Sequence, residues 1–309
     1  MNYSIGVDLG GSSIRSALID RNEKIIAFNS TETNASAGKN AVLKNLVQCI
    51  SLVMPKNKKI EGIGIGFAGG INQKKGIIIK SAHLPSLNGF NLKNFLQKKF
   101  RKLAVLENDA NLMAYAEAMK GSARKYNFVV GITLGTGIGS GIILNKKIYS
   151  GASGTAGELG HTVINFNGPK CPCGNSGCWE EYLSIRAIMR RAEFALNSNR
   201  KTLMKKLWPL TPKKVDDSAR KGDRSAMEIM KIEGQYLGIG LANIVNALNP
   251  DAIVLGGGLS NSKILVREGI KEMKKRAFRN PAKKAKVLKA RFGGKAGLIG
   301  AGLIVFEKR

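Results

Sequence analysis

The sequence lacks any apolar run approaching the roughly 18 residues that a membrane-crossing helix needs. Met1 leads straight into Tyr-Ser-Ile-Gly-Val-Asp, without the basic segment, apolar stretch or small-residue cleavage site of a secretory leader. These two absences predict a soluble, cytoplasmic protein with no membrane partner. Acidic residues are scarce, 21 against 50 Lys and Arg, which leaves a net charge of +29 and raises the question of nucleic acid. The basic runs are Lys56/Lys58/Lys59, Lys98/Lys99/Arg101/Lys102, Lys205/Lys206, Lys213/Lys214 and the dense stretch Lys271–Arg291. They lack the interleaved aromatic pattern of a single-strand-binding surface, and no zinc-finger, RNP or basic-zipper pattern accompanies them. They read as solvated faces, and no specific nucleic-acid partner is expected. Cysteine is sparse as well, and 4 in 309 residues do not make a disulfide framework. Cys49 stands alone in the apolar run Ala41–Met54 and reads as a small buried side chain. The other three, Cys171, Cys173 and Cys178, crowd into one short segment, which points to a metal.

What the sequence does hold is an ordinary globular balance, 43% apolar and 23% charged, over a length that suggests about two domains. One order of elements occurs twice. Tyr3–Val7, Ile14–Asp20 and Lys24–Asn29 read as strands, followed by a helix at Ala41–Met54 and a strand at Ile60–Gly66. A polar loop leads to a helix at Leu92–Phe100, a strand at Leu103–Glu107 and a helix at Asn111–Lys120. The pattern restarts with strands at Phe128–Leu134, Gly141–Leu144 and Ile148–Tyr149. Helices at Ile185–Leu196 and Ser225–Asn246, a strand at Ala252–Leu255 and a helix at Gly297–Phe306 complete it. The repeat predicts two α/β domains with a cleft between them. The expected bounds are 1–120, completed by a terminal helix over 296–309, and 121–295 for the larger domain with the cysteines.

Three glycine loops carry the first chemistry. Asp8-Leu9-Gly10-Gly11-Ser12-Ser13 lies on a strand-to-strand turn, where bare N–H groups and two hydroxyls can meet a phosphate and Asp8 can hold Mg²⁺ through water. Gly135-Thr136-Gly137-Ile138-Gly139-Ser140 lies on the matching turn of the second half, and Gly256-Gly257-Gly258 follows the strand ending at Leu255. None is a Walker loop or a dinucleotide fingerprint. Each alone is equally a tight hairpin; three at matching positions favour phosphate.

The second feature is Gly157-Glu158-Leu159-Gly160-His161 followed by Cys171-Pro-Cys173-Gly-Asn-Ser-Gly-Cys178-Trp-Glu180. Three thiolates and an imidazole make a Cys₃His zinc set, and Pro172, Gly174 and Gly177 allow the turns that converge them. No neighbouring acidic pair is expected to replace a ligand, so the site reads as structural. Free thiols beside a buried neutral His161 are the alternative, and Trp179 reads as packing beside the loop. The third feature is Glu107-Asn108-Asp109, at the carboxyl end of a strand and the start of a helix. Asp109 is either a helix cap or a catalytic carboxylate there.

Taken together, these residues resemble the ROK family of repressors, open reading frames and sugar kinases, over nearly the whole chain. The resemblance implies the two-domain actin/hexokinase-like (ribonuclease H-like) ATPase fold. It also implies Mg-ATP-dependent phosphorylation of a free hexose or N-acetylhexosamine, glucokinase-like first. Asp109 would be the general base, with Gly69, Asn108, Glu158, His161 and Glu180 at the sugar. The phosphates would meet Asp8, Gly10, Gly11, Ser12, Ser13, Gly135, Thr136, Gly137, Gly139 and Gly256 to Gly258. His161 would bind structural zinc with Cys171, Cys173 and Cys178, and a dimer or tetramer is implied.

Some positions depart from the family pattern. Ala68-Gly69-Gly70 stands where Pro-Gly is usual, and His83-Leu84-Pro85-Ser86-Leu87 where Asn-Leu-Pro-Gly-Trp is usual. Ser12 replaces Thr and Ser140 replaces Gly. The first two border the expected sugar pocket and leave N-acetylglucosamine or N-acetylmannosamine kinase open. Polyphosphate as donor and a non-catalytic sugar-responsive protein also stay open. Repressor members carry a winged helix before the first glycine loop, which here begins at Asp8, so DNA-specific repression is not expected. His83 reads as a surface-loop residue. The glycine loops are expected to lie far from the zinc loop, so that losing zinc would spare nucleotide binding.

Overall fold

The computed structural model of the chain describes residues 2–55, 58–198 and 201–307. Met1, Lys56 of the first basic run, and 308–309 of the expected terminal helix lie outside the described residues. The chain forms two compact units, one of Met1–Gly131, Gly141–Gly157 and Ala290–Arg309, the other of Ile132–Ser140 and Glu158–Lys289.

The first unit opens with β1 (Tyr3–Leu9), β2 (Ser13–Asp20), β3 (Ile25–Glu32) and helix α1 (Gly38–Val53). Then come β4 (Ile60–Phe67), a hairpin of β5 (Gly70–Asn72) and β6 (Ile77–Lys80), α2 (Leu92–Phe100), β7 (Leu103–Asn108) and α3 (Asp109–Met119). Its sheet runs β3-β2-β1-β4-β7, antiparallel through β1 and parallel from β1 to β7. Past Glu61, strand β4 is apolar and buried on both faces from Gly62 to Phe67, as a central parallel strand must be. Helix α1 buries Val42, Leu46, Cys49, Ile50 and Val53, a stripe at helical spacing, in one core with Ile5, Val7, Ile63 and Ile65. Cys49 is fully buried there. Helix α3 is buried from Ala110 to Ala118, which its apolar composition on all sides requires.

The second sheet, β10-β9-β8-β11-β12, is built from β8 (Phe128–Leu134), β9 (Ile138–Leu144), β10 (Lys147–Ile148), β11 (Ala252–Gly256) and β12 (Lys286–Lys289). The bounds of the units fall within β8 and β9. Between β10 and β11 lie α4 (Trp179–Tyr182), α5 (Ile185–Asn197), α6 (Pro212–Arg220) and the long α7 (Arg224–Leu248). Helices α8 (Lys263–Arg276) and α9 (Arg279–Lys284) precede β12. The last helix, α10 (Ala296–Glu307), belongs to the first unit and lies against its sheet: a Cβ added at Gly64 would fall 1.7 Å from the Ala301 carbonyl oxygen.

Several elements differ from the sequence reading. The segment read as a polar loop holds the β5–β6 hairpin, and the lysine-rich stretch holds α8, α9 and β12. In α8 the lysines cover one face while Ile264, Leu265 and Met273 bury the other, so charge density masked a helical stripe. Helix α3 begins at Asp109 rather than Asn111, because Asn108 caps it.

Candidate active site and metal centre

In the first unit, register brings three predicted segments to one end of the sheet. Leu9 pairs with Phe67, and Phe67 with Asn108. The Asp8–Ser13 turn, Gly69 and Asn108-Asp109 therefore all leave the sheet at the carboxyl ends of parallel strands, where open α/β sheets bind ligands. The Asn108 side chain accepts from the N–H groups of Ala110 (2.9 Å) and Asn111 (3.1 Å) and is the cap of α3. The capping position is therefore that of Asn108, and Asp109 is the first residue of the helix. Its carboxylate sits in the first turn, half-buried, with Oδ1 accepting from Ala110 N–H at 2.9 Å.

Asp8 pairs with Arg15, which lies directly across the β1–β2 turn. Burial raises the Asp8 carboxyl above its ordinary range, against the opposing pull of the guanidinium. The turn itself is pinned by a residue outside every motif of the chain: Thr33 Oγ1 donates to the Gly10 carbonyl at 2.6 Å, and Thr33 N–H to Ser12 O at 3.1 Å. A second unforeseen network lies behind Asn108. Glu107 Oε1 accepts from Gln73 Nε2 (2.5 Å), Asn108 N–H (2.8 Å) and Asn111 Nδ2 (2.9 Å), and Ser150 Oγ donates to Gln73 Oε1 at 3.2 Å. His83 is exposed and packs over Gly11, whose added Cβ would lie 2.7 Å from the His83 Cβ.

In the second unit the two remaining glycine loops meet. A Cβ at Gly257 would stand 2.3 Å from the Leu134 carbonyl oxygen, which places the turn after β11 against the end of β8. The loop Gly135–Ser140 does not lie far from the zinc loop, contrary to the sequence expectation. Ile138 N–H donates to Glu180 Oε2 at 2.8 Å, Ile185 N–H to the Gly135 carbonyl at 2.8 Å, and Leu159 N–H to Ser140 Oγ at 3.2 Å. The Ser140 hydroxyl, at a position where the family usually has Gly, thus ties the loop to the segment carrying Glu158 and His161.

The cysteine segment folds as a pair of short extended stretches. Ile164 N–H donates to Gly177 O and Trp179 N–H to Thr162 O, both at 2.9 Å, while Gly174 and Gly177 turn the chain at φ of 102° and 74°. His161, Cys171, Cys173 and Cys178 each bring a ligand atom within 4.8 Å of the others. The Cys173 and Cys178 sulfurs lie 3.6 Å apart, and Cys171 Sγ lies 3.7 Å from His161 Nδ1. A zinc tetrahedron with Zn–S near 2.3 Å has S–S edges of about 3.8 Å, so donor set and spacing are consistent with structural zinc.

The expectation that no acidic pair stands nearby is wrong: Glu180 and Glu181 each place an oxygen within 4.8 Å of the Cys171 sulfur. Both are engaged elsewhere, since Arg186 Nη2 reaches Glu180 Oε1 at 3.2 Å and Glu181 Oε1 at 3.0 Å. The four nitrogen and sulfur donors remain a closed set. Trp179 packs in the core, with its ring against Gly240 and Nε1 donating to Tyr236 O at 2.8 Å.

A family model described as ROK family matches residues 4–308. The chain is 34% identical over 311 residues to the xylose repressor of Bacillus spizizenii, covering 99% of this chain and 77% of the repressor. It is 33% identical over 316 residues to the glucokinase of Halalkalibacterium halodurans, covering 99% and 96%. The structure of a ROK family glucokinase from Streptomyces griseus, in complex with glucose and AMPPNP, superposes with a TM-score of 0.85 at 29% identity over 99% of both chains. The fold is the actin/hexokinase-like ATPase fold. Among the described residues, no helix is long and apolar enough to cross a membrane.

Proposed function

The chain belongs to the ROK family, and from that membership we propose that it is an ATP-dependent sugar kinase acting on a hydroxyl of a free hexose, glucose first. The observation that carries the reading is Asp109: a half-buried carboxylate at the ligand end of a parallel strand, in the first turn of the helix that Asn108 caps. Supporting it are the glycine turns of both units and the glucokinase relatives.

Phosphoryl transfer asks the protein for positioning and charge neutralisation more than covalent help. Asp109 accepts the proton of the attacking hydroxyl. Gly69 and Asn108 in the first unit, and Glu158, His161 and Glu180 in the second, are the residues assigned to the remaining hydroxyls. The turns at Gly10 to Ser13, Gly135 to Gly139 and Gly256 to Gly258 present N–H and hydroxyl groups to the phosphates. Magnesium brought with the nucleotide would neutralise phosphate charge, and Asp8 is the first-turn carboxylate that would meet it through water. His161, Cys171, Cys173 and Cys178 would hold zinc, which would supply order rather than Lewis acidity to the segment carrying Glu180.

A coupled assay over glucose, mannose, N-acetylglucosamine and N-acetylmannosamine, with ATP and polyphosphate as donors, tests the reading. Turnover with glucose and ATP is expected; zinc-loaded protein that turns over no sugar with either donor would sink it. The 34% identity to a xylose repressor favours a second reading, a non-catalytic sugar-responsive regulator. Sugar binding without any phosphorylation is its signature.

A further inference from the structure

We infer that Glu180 serves two ligands at once: the carboxylate that holds a sugar hydroxyl also sets the shape of the phosphate loop through the Ile138 N–H. The inference rests on the kinase reading of both segments and goes beyond it by joining them. Glu180 Oε2 accepts from Ile138 N–H at 2.8 Å, and the Gly137 backbone lies so close that a Cβ there would stand 2.1 Å from the same oxygen. The loop is thus moulded onto this one carboxylate. A charge-assisted bond to a backbone N–H is among the stronger single contacts a loop can have.

The platform beneath Glu180 is rigid. Cys178 of the metal set immediately precedes α4, and α5 grips its residues in turn. Arg186 pairs with Glu180 and Glu181, Arg190 Nη2 donates to Glu181 O at 2.8 Å, and Arg191 Nη1 donates to Tyr182 O at 3.2 Å. Trp179 anchors the same turn to α7 through Tyr236 O. A second bond, Ile185 N–H to Gly135 O at 2.8 Å, fastens the far end of the loop to the start of α5. A hydroxyl that orients Glu180 therefore also fixes the direction of the loop N–H groups around Gly137. Such coupling is reciprocal: sugar must change nucleotide affinity by the factor by which nucleotide changes sugar affinity.

The test is calorimetric titration of MgADP without sugar, and of glucose without nucleotide, into the wild type, Glu180→Gln, Glu180→Ala and Gly137→Ala, each checked for zinc content and thermal unfolding. Glu180→Ala should lose sugar affinity and also about tenfold in MgADP affinity, the scale of one charge-assisted hydrogen bond. Glu180→Gln keeps an amide oxygen for Ile138 N–H, so MgADP affinity should stay within about twofold while sugar affinity falls. Gly137→Ala leaves Glu180 in the sequence but displaces it, and glucose affinity should drop along with MgADP affinity. A folded, zinc-loaded Glu180→Ala that binds MgADP like the wild type overturns the coupling and leaves the kinase reading standing. Unchanged glucose affinity in Gly137→Ala overturns it independently, should the alanine at 180 not fold. A wild type that binds neither ligand overturns both.

Discussion

Replacing Asp109 by Asn should separate catalysis from folding. The amide can still accept from Ala110 N–H as Oδ1 does at 2.9 Å, and the two capping bonds of Asn108 are untouched. What the fold loses is one negative charge in the first turn of α3, worth about 0.3–1 kcal/mol. In a chain of this size that lowers the melting temperature by no more than a few degrees. If Asp109 is the proposed base, the reaction loses its proton acceptor, typically about 10²–10⁴-fold in turnover, or roughly 3–5 kcal/mol of barrier. The expected result is a folded variant with sugar affinity within a few-fold of wild type and kcat below about 1% of it. Turnover in the coupled assay, sugar affinity by calorimetry and unfolding by circular dichroism read the three quantities separately. A variant retaining more than half of the wild-type kcat would show that Asp109 is not the base.

Three further outcomes are expected. Cys173→Ala should release the metal, measured by elemental analysis, and depress sugar and nucleotide affinity together because the phosphate loop hangs on the same segment; full sugar affinity in zinc-free protein would refute this. Burial pushes the Glu233 carboxyl from 4.5 up to about 8 against the pull of Arg191, so the folded chain keeps a proton the unfolded chain has shed. Stability from this group is full below about pH 4.5 and drains away as pH climbs towards 8. Urea midpoints at pH 5 and pH 8 should differ less in Glu233→Gln than in the wild type, and equal differences would discard the assignment. Any DNA affinity of this +29 chain should be sequence-blind and fall steeply with salt, and a thousandfold preference for one duplex at physiological salt would contradict that.

The first sheet is legible because its strands are apolar and bounded by turn residues, and the His161–Cys178 cluster because four ligand-type residues stand close in sequence. Helix α6 carries a start signal in Thr211 before Pro212, a cap followed by proline at the first helical position, but Lys213, Lys214 and Arg220 mask the short buried stripe of Val215 and Ala219. Strand β12 is a four-residue K-V-L-K with no pattern to detect; its place is set by pairing with β11. The bond between Glu180 and Ile138 spans 42 positions, and neither residue type advertises it. Thr33 is the same case: a lone threonine at a strand's end becomes a loop clamp only through tertiary contact. Local chemistry was readable; the wiring between local sites was not.

Helix α10 carries a consequence for the order in which the chain can mature. Gly300 lies under α3, where an added Cβ would fall 2.0 Å from the Leu112 carbonyl oxygen, and Gly6 and Gly64 accept the same helix at backbone distance from Leu298 and Ala301. The strands and helix that bear Asp8, Asn108 and Asp109 are therefore made early by the ribosome but cannot close their core until residues synthesised far later dock against them. During that interval the apolar underside of the first sheet is bare. A nascent chain would pass through a stage with the cysteine segment already synthesised and Asp109 on an unfinished scaffold, so chaperone dependence should track the arrival of α10 rather than that of the cysteines.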